Sequence, residues 1–491
     1  MPHPTPDARK PRNVLQEIAR RAIIERGLEP DFSGEVVKQL ERIQGPAPRP
    51  QASLRDLRGL LWCSIDNDDS RDLDQLTVAE AVPGGARVLV AIADVTSTVD
   101  QGSAIDAHAR TNTTSVYTAG GIFPMLPEKL STDLTSLGFG RERSSFVIEM
   151  SFDGQGALVG SGVYEALVTN KAKLAYNSVA AWLEGTGPVP EAVAGVAGLA
   201  ENIRLQHRVA EQLRGLRHMR GALSLETLQA RPVFDGDMLQ NLLPDQSNTA
   251  KSLIEELMVA ANGVTARFLA SRGLPCIRRV VRTPSKWDRI VELAAERGST
   301  LPPKPDGKAL EQFLLDSAKA DPGYFPDLSL CIIKLLGRGE YVVEFPGGNV
   351  AGHFGLAVAD YAHSTAPNRR YPDLLVQRLL RAALHSAKPP YGDGELSDLT
   401  RHCTDQEDAA KKVERQVVKS AGAMLLAGRI GETFDATVTG AADKGTWVRL
   451  AAPPVEGKLV KGYQRKQVGD RFKVKLVFTD IERGYIDFAA A

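Results

Sequence analysis

The sequence predicts an α+β protein with a helical N-terminal module, a mixed α/β centre and a small C-terminal β-barrel. Apolar residues recur at helical spacing in residues 13–44, and β-prone and helical segments share residues 52–427. Five short strand-like segments, separated by glycine-containing turns, follow Gly428. We therefore predict domains at residues 1–50, 52–427 and 428–491.

The composition is that of an ordinary globular protein, with 43% apolar and 24% charged residues. The 60 basic and 60 acidic residues give a formal net charge of zero, which neither supports nor excludes a nucleic-acid partner. The four cysteines are far apart, which argues against a zinc ribbon and fits a reducing compartment. There is no signal-like N-terminus and no apolar run of ~18 residues. We expect a cytoplasmic monomer without a membrane span.

Two amphipathic helices are predicted at the N-terminus, and Ser33 is a candidate N-cap for the second. Their apolar stripes are Leu15, Ile18, Ile23 and Ile24, and then Val36, Val37, Leu40 and Ile43. The pair fits either half of a helix-turn-helix unit or a helical cap on the next domain. The charged, proline-rich residues 1–12 are predicted to be disordered, and residues 45–51 to be a linker.

Strands begin at residue 60 with LLWCSI, and LTVAEAV and ARVLVAIADV follow as a predicted hairpin around Pro83-Gly84-Gly85. The acidic segment between the first strand and this hairpin is then a loop at one edge of a sheet. Further helices are predicted at 201–219, 249–272, 285–297, 309–319, 372–386 and 404–427. The elements do not alternate regularly, and no G-x-x-x-x-G-K-[ST] segment occurs, so no nucleotide cofactor is expected.

The acidic loop, SIDNDDSRDLDQL at 64–76, is the most informative segment. Its carboxylates are Asp66, Asp68, Asp69, Asp72 and Asp74. Crowded carboxylates repel one another, and solvent exposure or a bound cation offsets that cost. Hard oxygen ligands select Mg²⁺, Mn²⁺ or Ca²⁺, but an EF-hand loop is excluded because Arg71 and Thr77 occupy the glycine and glutamate positions. A solvated acidic turn is the alternative, although the adjoining apolar strand favours a position beside a buried sheet.

The predicted barrel carries a local positive charge, with eleven basic and eight acidic side chains in residues 429–491. Its basic cluster comprises Lys458, Lys461, Arg465, Lys466, Arg471, Lys473 and Lys475. Phe434, Trp447 and Tyr463 add aromatic faces, and this combination suits single-stranded nucleic acid. The alternative is a solvated basic face over a small core that includes Trp447.

The acidic loop resembles the signature of the ribonuclease II (RNB) family, in which I-D is followed by D-x-D-D. Asp66, Asp72 and Asp74 match the first three acids, whereas Gln75 replaces the fourth. Further resemblances occur in the family's order at 90–137, 220–226, 253–266, 273–280, 353–380 and in the C-terminal VGDRFKVKLVFTDIERGYIDFA. The resemblance covers roughly residues 52–490.

The resemblance implies a central RNB catalytic domain followed by an S1-type OB-fold barrel. It implies processive 3′→5′ hydrolysis of single-stranded RNA to nucleoside 5′-monophosphates, with Mg²⁺ or Mn²⁺ as cofactor. Asp66, Asp72, Asp74 and Gln75 would hold the metal, and Asp74 would be the most critical acid. Arg369, just before a predicted helix N-terminus, would stabilise charge on the phosphate. Because Gln75 has no charge, a catalytically weakened RNA-binding protein is the alternative, and a DNA-directed nuclease is a third hypothesis.

Four further residues are expected at the RNA. Tyr117 matches an aromatic that in the family packs against the 3′-terminal bases, although it could be an ordinary strand tyrosine. Arg370 would bind phosphate or pair with an acid in the core. Glu414 matches a glutamate near the family's active site, or is a surface helix residue. Arg278 stands where the family commonly has a tyrosine and is predicted to line the RNA channel with its basic neighbours.

Overall fold

The computed structural model describes residues 10–45, 54–226, 229–245, 247–442 and 445–491. Of the start that is predicted to be disordered, residues 1–9 lie outside these ranges, and so do residues 46–51 of the predicted linker. Pro11 and Arg12 begin a helix, so the predicted disorder is wrong for these two residues. No helix of the described ranges is both long enough and apolar enough to cross a bilayer.

Helices and strands alternate irregularly along the chain. The α-helices are α1 Pro11–Glu25, α2 Gly34–Arg42, α3 Ala104–Asn112, α4 Tyr176–Leu183, α5 Glu191–Ala194, α6 Leu199–Met219, α7 Thr249–Ser271, α8 Trp287–Ala295, α9 Gly307–Ala320, α10 Phe325–Leu336, α11 Tyr371–Leu384 and α12 Asp393–Leu426. The strands are β1 Arg55–Asp56, β2 Cys63–Asp66, β3 Gln75–Val82, β4 Gly85–Ala93, β5 Val116–Thr118, β6 Gly121–Phe123, β7 Glu142–Asp153, β8 Leu158–Thr169, β9 Ala172–Ala175, β10 Gln229–Asp235, β11 Met238–Asp245, β12 Cys276–Val280, β13 Glu340–Glu344, β14 Thr433–Ala442, β15 Gly445–Leu450, β16 Glu456–Lys461, β17 Arg471–Asp480 and β18 Tyr485–Ala490.

A seven-stranded sheet in the order β1-β8-β7-β4-β3-β2-β9 carries the acidic loop. The β1–β8 and β2–β9 pairs are parallel and the other neighbours are antiparallel. The predicted hairpin is confirmed as β3 and β4, which pair from Gln75 opposite Ile92 to Val82 opposite Gly85. The first five residues of β3 are buried, so both faces of this strand are covered. Because both faces are covered, the start of β3, where the acidic loop ends, has a fixed position.

The N-terminal helices pack on other elements of the fold. The predicted N-cap is confirmed, because the Ser33 side chain accepts a hydrogen bond from the Val36 amide. Leu15 and Ile23 of α1 share a hydrophobic core with Val413 and Val417 of α12. This core also contains apolar residues of the C-terminal barrel, so α1 joins α12 and the barrel as a helical cap.

The C-terminal strands form the predicted closed barrel, in the order β14-β15-β16-β18-β17. Phe434 lies in its core, whereas Trp447 is only half-buried and Tyr463 is 46% exposed. The barrel also contacts the helical lobe of α8, α9 and α10, where Arg449 pairs with the buried Asp327 at 2.5 Å. The barrel is therefore held from two sides, by α12 and by the lobe.

Candidate active site

The acidic loop is held between two buried strands. It leaves β2 at Asp66 and enters β3 at Gln75. The Ala93 amide donates to the Asp74 carbonyl at 2.9 Å, and the Leu73 amide donates to the Ser136 hydroxyl at 3.0 Å. Leu73 is buried in a core beneath the sheet, so the residues on either side of it have fixed positions.

Asp74 is the most buried aspartate of the acidic loop, at 1% exposure. Its Oδ1 accepts a hydrogen bond from the Asn368 amide at 3.0 Å, and Arg369 Nε lies 3.4 Å from its Oδ2. This Oδ2 makes no hydrogen bond with the described residues. Burial raises the pKa of the Asp74 carboxyl to about 7, although Arg369 and the Asn368 amide oppose the shift. The site thus holds a carboxylate that an additional cation would stabilise.

Asp66 and Asp72 lie close enough to influence each other. Asp66 is 8% exposed, and its Oδ1 accepts from the Asn67 amide at 2.7 Å and the Ser70 hydroxyl at 2.9 Å. Burial raises the pKa of the Asp72 carboxyl; Arg369 opposes this shift, and the charge of Asp66 adds to it. The Tyr117 hydroxyl is 3.4 Å from Asp72 Oδ2 and is oriented to donate to it.

The remaining members of the loop differ in exposure. Asp68 and Asp69 are exposed, as a solvated turn predicts, and Asp69 lies 3.8 Å from Arg231. Gln75 is 6% exposed and is the first residue of β3. The structure therefore separates the buried or half-buried acids of the predicted signature from the solvated Asp68 and Asp69, which lie outside that signature.

The donor atoms of the acidic loop fit a hard cation only in part. Within the described ranges, no group of three or more histidine, cysteine, aspartate and glutamate side chains is arranged to hold an ion. The feature that fits a cation is the unpartnered Oδ2 of Asp74, beside Asp72, whose charge adds to the raised pKa of the Asp74 carboxyl. Carboxylate oxygens with an added amide oxygen at Gln75 are donors that hard divalent cations accept.

Arg369 and Arg370 stand at the start of α11 but contact different partners. Burial lowers the pKa of the Arg369 guanidinium, but the nearby Asp74, Tyr117, Asp66 and Asp72 raise it by more. The net effect is a raised pKa, so Arg369 stays charged. Its side chain keeps 42% exposure and so remains open to a ligand. Arg370 binds Asp373 through two hydrogen bonds of 2.8 and 2.7 Å. Of the two roles predicted for Arg370, the structure shows the pairing with an acid in the core. The other role, phosphate binding, stays a prediction.

Tyr117 and Glu414 are adjacent. The Tyr117 amide donates to Glu414 Oε1 at 3.0 Å, and the tyrosine is 40% exposed. Burial raises the pKa of the Glu414 carboxyl, against the effect of this amide. The contact joins β5 to α12 and ends beside Asp72, so Glu414 is not a free surface glutamate.

Arg278 lies in a separate cluster. Its side chain is 4% exposed, and its guanidinium donates to Glu344 at 2.6 Å and to Asp360 at 2.9 Å. Its neighbour Arg279 pairs with Glu407 at 2.6 Å. No contact within the described ranges joins Arg278 to the aspartates, and its predicted place in an RNA channel stays a prediction.

Two residues of the site were not predicted. Asn368 donates its backbone amide to Asp74. It differs from the family's residue at this position, and only its place next to Arg369 in the sequence could have indicated that it lies at the site. Tyr176 follows Ala175, the β9 partner of Asp66. Burial raises the pKa of the Tyr176 hydroxyl, and the charge of Asp66 adds to the shift. No sequence pattern links Tyr176 to the acidic loop.

Comparison with protein families finds two matches, an RNB domain at residues 54–386 and an RNase II-type exonuclease C-terminal S1 domain at residues 432–491. Ribonuclease R of Aquifex aeolicus is 30% identical, over 93% of this chain and 68% of that protein. Ribonuclease R of Thermotoga maritima shows the same identity and the same coverages. Ribonuclease R of Escherichia coli is 30% identical over 88% of this chain and 57% of that protein.

Solved structures show the same fold. Mycoplasma genitalium RNase R in complex with ribose-methylated single-stranded RNA superposes with a TM-score of 0.86 at 24% identity, over 98% of this chain and 78% of that one. Yeast Ssd1, described as a pseudonuclease, superposes with a TM-score of 0.71 at 17% identity, over 96% of this chain and 59% of that one. The fold alone therefore does not decide between an active site and an inactive one.

Proposed function

This chain belongs to the RNB family and is an exoribonuclease, and we propose that it hydrolyses single-stranded RNA processively from the 3′ end to nucleoside 5′-monophosphates with divalent metal ions. The observation that carries the proposal is the approach of Arg369 to Asp74, with Nε and Oδ2 3.4 Å apart. A carboxylate cluster and a guanidinium open to solvent suit a phosphodiester between them. We further propose a cytoplasmic monomer that needs no nucleotide cofactor.

The proposed metal site uses Asp66, Asp72, Asp74 and Gln75, with Mg²⁺ or Mn²⁺ as the ion. When bound, the metal supplies charge neutralisation and lowers the pKa of a coordinated water. The Gln75 amide gives an oxygen without charge, so the site binds its ion more weakly than four carboxylates would.

The protein groups have separate tasks in this proposal. Asp74 would hold the metal or the attacking water, the proton of that water passes to solvent, and Arg369 donates hydrogen bonds to phosphate oxygens as their charge develops. The water oxygen forms a bond to phosphorus in line with the bond from phosphorus to O3′, which breaks. The leaving O3′ takes up a proton from solvent, so the products are a nucleoside 5′-monophosphate and an RNA shorter by one nucleotide with a free 3′-hydroxyl. The Tyr117 ring stacks on a terminal base and holds the new 3′ end.

The test is incubation of the purified chain with 5′-labelled single-stranded RNA and with DNA of the same sequence, with Mg²⁺, with Mn²⁺ and with EDTA. We expect the 5′ label to pass from full-length RNA to short end products with few intermediates, as processive cutting from the 3′ end requires. Chromatography of the digest should show nucleoside 5′-monophosphates, and we expect little cutting of DNA and no cutting in EDTA. Preferential cutting of DNA contradicts the proposed substrate, and cleavage that persists in EDTA contradicts the proposed cofactor.

A catalytically weakened RNA-binding protein is the second candidate, because an uncharged amide replaces one acid of the signature at Gln75. The same assay separates the two candidates. RNA that is bound but left intact under both metals supports the second and excludes the first.

A further inference from the structure

We infer that the side-chain amide oxygen of Asn368 is a further ligand of the divalent metal ion, and that Thr135 holds this amide in place. Neither residue belongs to the acidic loop, to which the family resemblance confines the metal ligands. The inference rests on the proposed function, because it adds one oxygen donor to the same site.

Asn368 lies where the acidic loop meets the segment that carries Arg369. Its backbone amide donates to Asp74 Oδ1 at 3.0 Å, and Nε of Arg369, the next residue, lies 3.4 Å from Asp74 Oδ2. Asn368 and Asp74 are each 1% exposed. Because an asparagine side chain is short, its amide stays close to the backbone N–H that binds Asp74. The amide is therefore in the immediate surroundings of the carboxylate.

The Thr135 hydroxyl decides which end of this amide it binds. Its Oγ1 lies 2.9 Å from the Leu130 carbonyl oxygen and 2.5 Å from Asn368 Oδ1. Both of these oxygens are acceptors, but a hydroxyl has a single proton and donates to only one of them. When it donates to Leu130, its own oxygen accepts a hydrogen bond from an amide nitrogen. The asparagine amide is nearly symmetric in shape and supplies that nitrogen by turning over.

The end of the amide that points away from Thr135 has no partner. In the orientation with Oδ1 at Thr135, this end is Asn368 Nδ2, which is buried and makes no hydrogen bond with the described residues. In the turned orientation the oxygen occupies the same position. A buried polar atom without a partner destabilises a fold unless a ligand satisfies it. An amide oxygen is a donor that Mg²⁺ and Mn²⁺ accept.

Asp74 also has an oxygen without a partner. Among the described residues, eight buried side-chain atoms lack a hydrogen-bond partner, and two of them are Asp74 Oδ2 and Asn368 Nδ2. The two residues are joined directly by the hydrogen bond of 3.0 Å from the Asn368 backbone. A cation bound by the carboxylate oxygen and by the turned amide satisfies both residues at once. This coincidence carries the inference.

The acidic loop offers one negative charge fewer than the family's signature, because Gln75 stands at the place of the fourth acid. Affinity for a hard cation depends on the number and the charge of its oxygen ligands. An amide oxygen from Asn368 raises the number of ligands without adding to the repulsion among the carboxylates. Asn368 also differs from the family's residue, so two departures from the family adjoin the same aspartate, Asp74.

Thr135 belongs to a segment that also holds the acidic loop. The hydroxyl of Ser136 donates to the Arg71 carbonyl at 2.8 Å and accepts from the Leu73 amide at 3.0 Å. The Leu137 amide donates to the Leu73 carbonyl at 2.9 Å. Three consecutive residues thus fix both the loop and the amide, and ligands that are held in place before the ion arrives lose less conformational entropy on binding it.

The test measures Mn²⁺ binding to the full chain without RNA, from the electron paramagnetic resonance signal of the free ion. Asn368→Leu keeps the approximate size of the side chain and removes the oxygen, and we expect about tenfold weaker binding. Asn368→Asp places a charged oxygen at the same length, and we expect about tenfold tighter binding. Opposite changes at one position distinguish a ligand from a residue that only packs beside the site, because loss of packing does not tighten a metal site.

Thr135 is tested in the same way. Thr135→Val removes the hydroxyl that holds the amide and should weaken Mn²⁺ binding by about tenfold, whereas Thr135→Ser keeps the hydroxyl and should match the parent. Asn67→Leu is the matched control, because Asn67 is an exposed amide of the acidic loop, and its Mn²⁺ affinity should equal that of the parent. Circular dichroism checks that each variant folds. If Asn368→Leu does not, Asn368→Asp and the two Thr135 variants carry the test.

Mn²⁺ affinities of Asn368→Leu and Asn368→Asp that equal the parent's overturn the inference, and so does weaker binding in both. In either case the proposed function stands if the parent cuts RNA with Mg²⁺ or Mn²⁺. Slower cleavage by Asn368→Leu at unchanged Mn²⁺ affinity would show that the amide contacts RNA instead of the ion, which also overturns the inference. A parent chain that binds no Mn²⁺ and cuts RNA in EDTA removes the proposed metal site together with the inference.

Discussion

The backbone amide of Tyr117 donates to Glu414 Oε1 at 3.0 Å, and this bond fixes the β5–β6 hairpin against α12. Because the same tyrosine reaches Asp72 through its hydroxyl at 3.4 Å, the position of its ring depends on Glu414. Glu414 thus acts as a positioning residue for the ring that we propose to hold the 3′ end.

Glu414→Ala should therefore alter the length at which degradation stops. The variant loses the acceptor, and we expect longer and more heterogeneous end products and a higher KM for short oligonucleotides. Glu414→Gln keeps an acceptor oxygen and should resemble the parent. Denaturing gels of the limit digest measure the product lengths. Identical digests from the parent, the alanine variant and the glutamine variant would show that Glu414 does not position the ring.

Asp74→Asn should lower the cleavage rate by about 10³-fold or more, since it removes the carboxylate charge that would hold the metal or the attacking water. RNA binding should remain within a few-fold of the parent, because the asparagine keeps the size of the side chain. Single-turnover cleavage and anisotropy measure the two effects. Asp69→Asn is the control, because Asp69 is exposed and should cut at nearly the parent rate. Parent-like cleavage by Asp74→Asn would contradict the assigned site.

The two adjacent arginines should separate catalysis from stability. Arg369→Gln should reduce kcat by about 10²- to 10³-fold with little change in unfolding free energy, because its guanidinium is proposed to act on the phosphate. Arg370→Gln leaves the fully buried Asp373 without its charged partner and should cost about 3 kcal/mol or more of stability. Urea unfolding and single-turnover kinetics of both variants give the comparison. Equal losses of stability in the two variants would contradict the division of roles.

Gln75→Asp should restore the fourth acid of the family's signature. Without metal, a further carboxylate beside Asp74 in a buried position should lower Tm. With Mg²⁺, Tm should rise more than in the parent, and the Mg²⁺ concentration for half-maximal cleavage should fall. Gln75→Asn keeps the amide at the shorter length and controls for size. A Mg²⁺ dependence equal to that of the parent would show that residue 75 does not contact the ion.

The sequence predicts those parts of the fold that local patterns encode. The β3–β4 hairpin, the barrel and helices such as α6 and α7 follow from periodicity and turn residues. Helix α10 was not predicted, although the buried Phe325, Leu328, Ile332 and Leu336 recur at helical spacing. The parallel pairing of β2 with β9 also has no local signal, since strands far apart in sequence form it.

The same difference between local sequence patterns and long-range packing applies to the candidate site. The acids of the loop and Arg369 could be recognised because each belongs to a compact motif. The environment of Arg278 could not be recognised, because its partners Glu344 and Asp360 lie 66 and 82 residues away. A lone basic residue in a sequence does not reveal whether it faces a channel or a buried carboxylate, and long-range packing decides between the two.

Two partly buried histidines should make the folded protein sensitive to mild acid. Burial, aided by the charges of Arg279 and Arg217, lowers the pKa of His353 to about 4, and burial lowers the pKa of His363 well below its usual value. His353 also packs edge-on against Tyr361 with the ring centroids 5.5 Å apart. Both imidazoles therefore stay neutral in the folded state while those of the unfolded chain take up protons.

The sign of the pH effect follows from this difference in protons. As pH falls from about 6.5 towards 4, the unfolded chain binds more protons than the folded one, so the free energy of unfolding falls; above 6.5 this loss is absent. His353→Asn keeps an acceptor for the Leu356 amide and should make the fall shallower by roughly one proton, about 1.4 kcal/mol per pH unit. Urea unfolding from pH 4.5 to 7.5 measures the slope, with His207→Asn, a half-buried position on α6, as the control. If His353→Asn and the parent lose stability equally steeply with acid, the titration of His353 does not contribute to it.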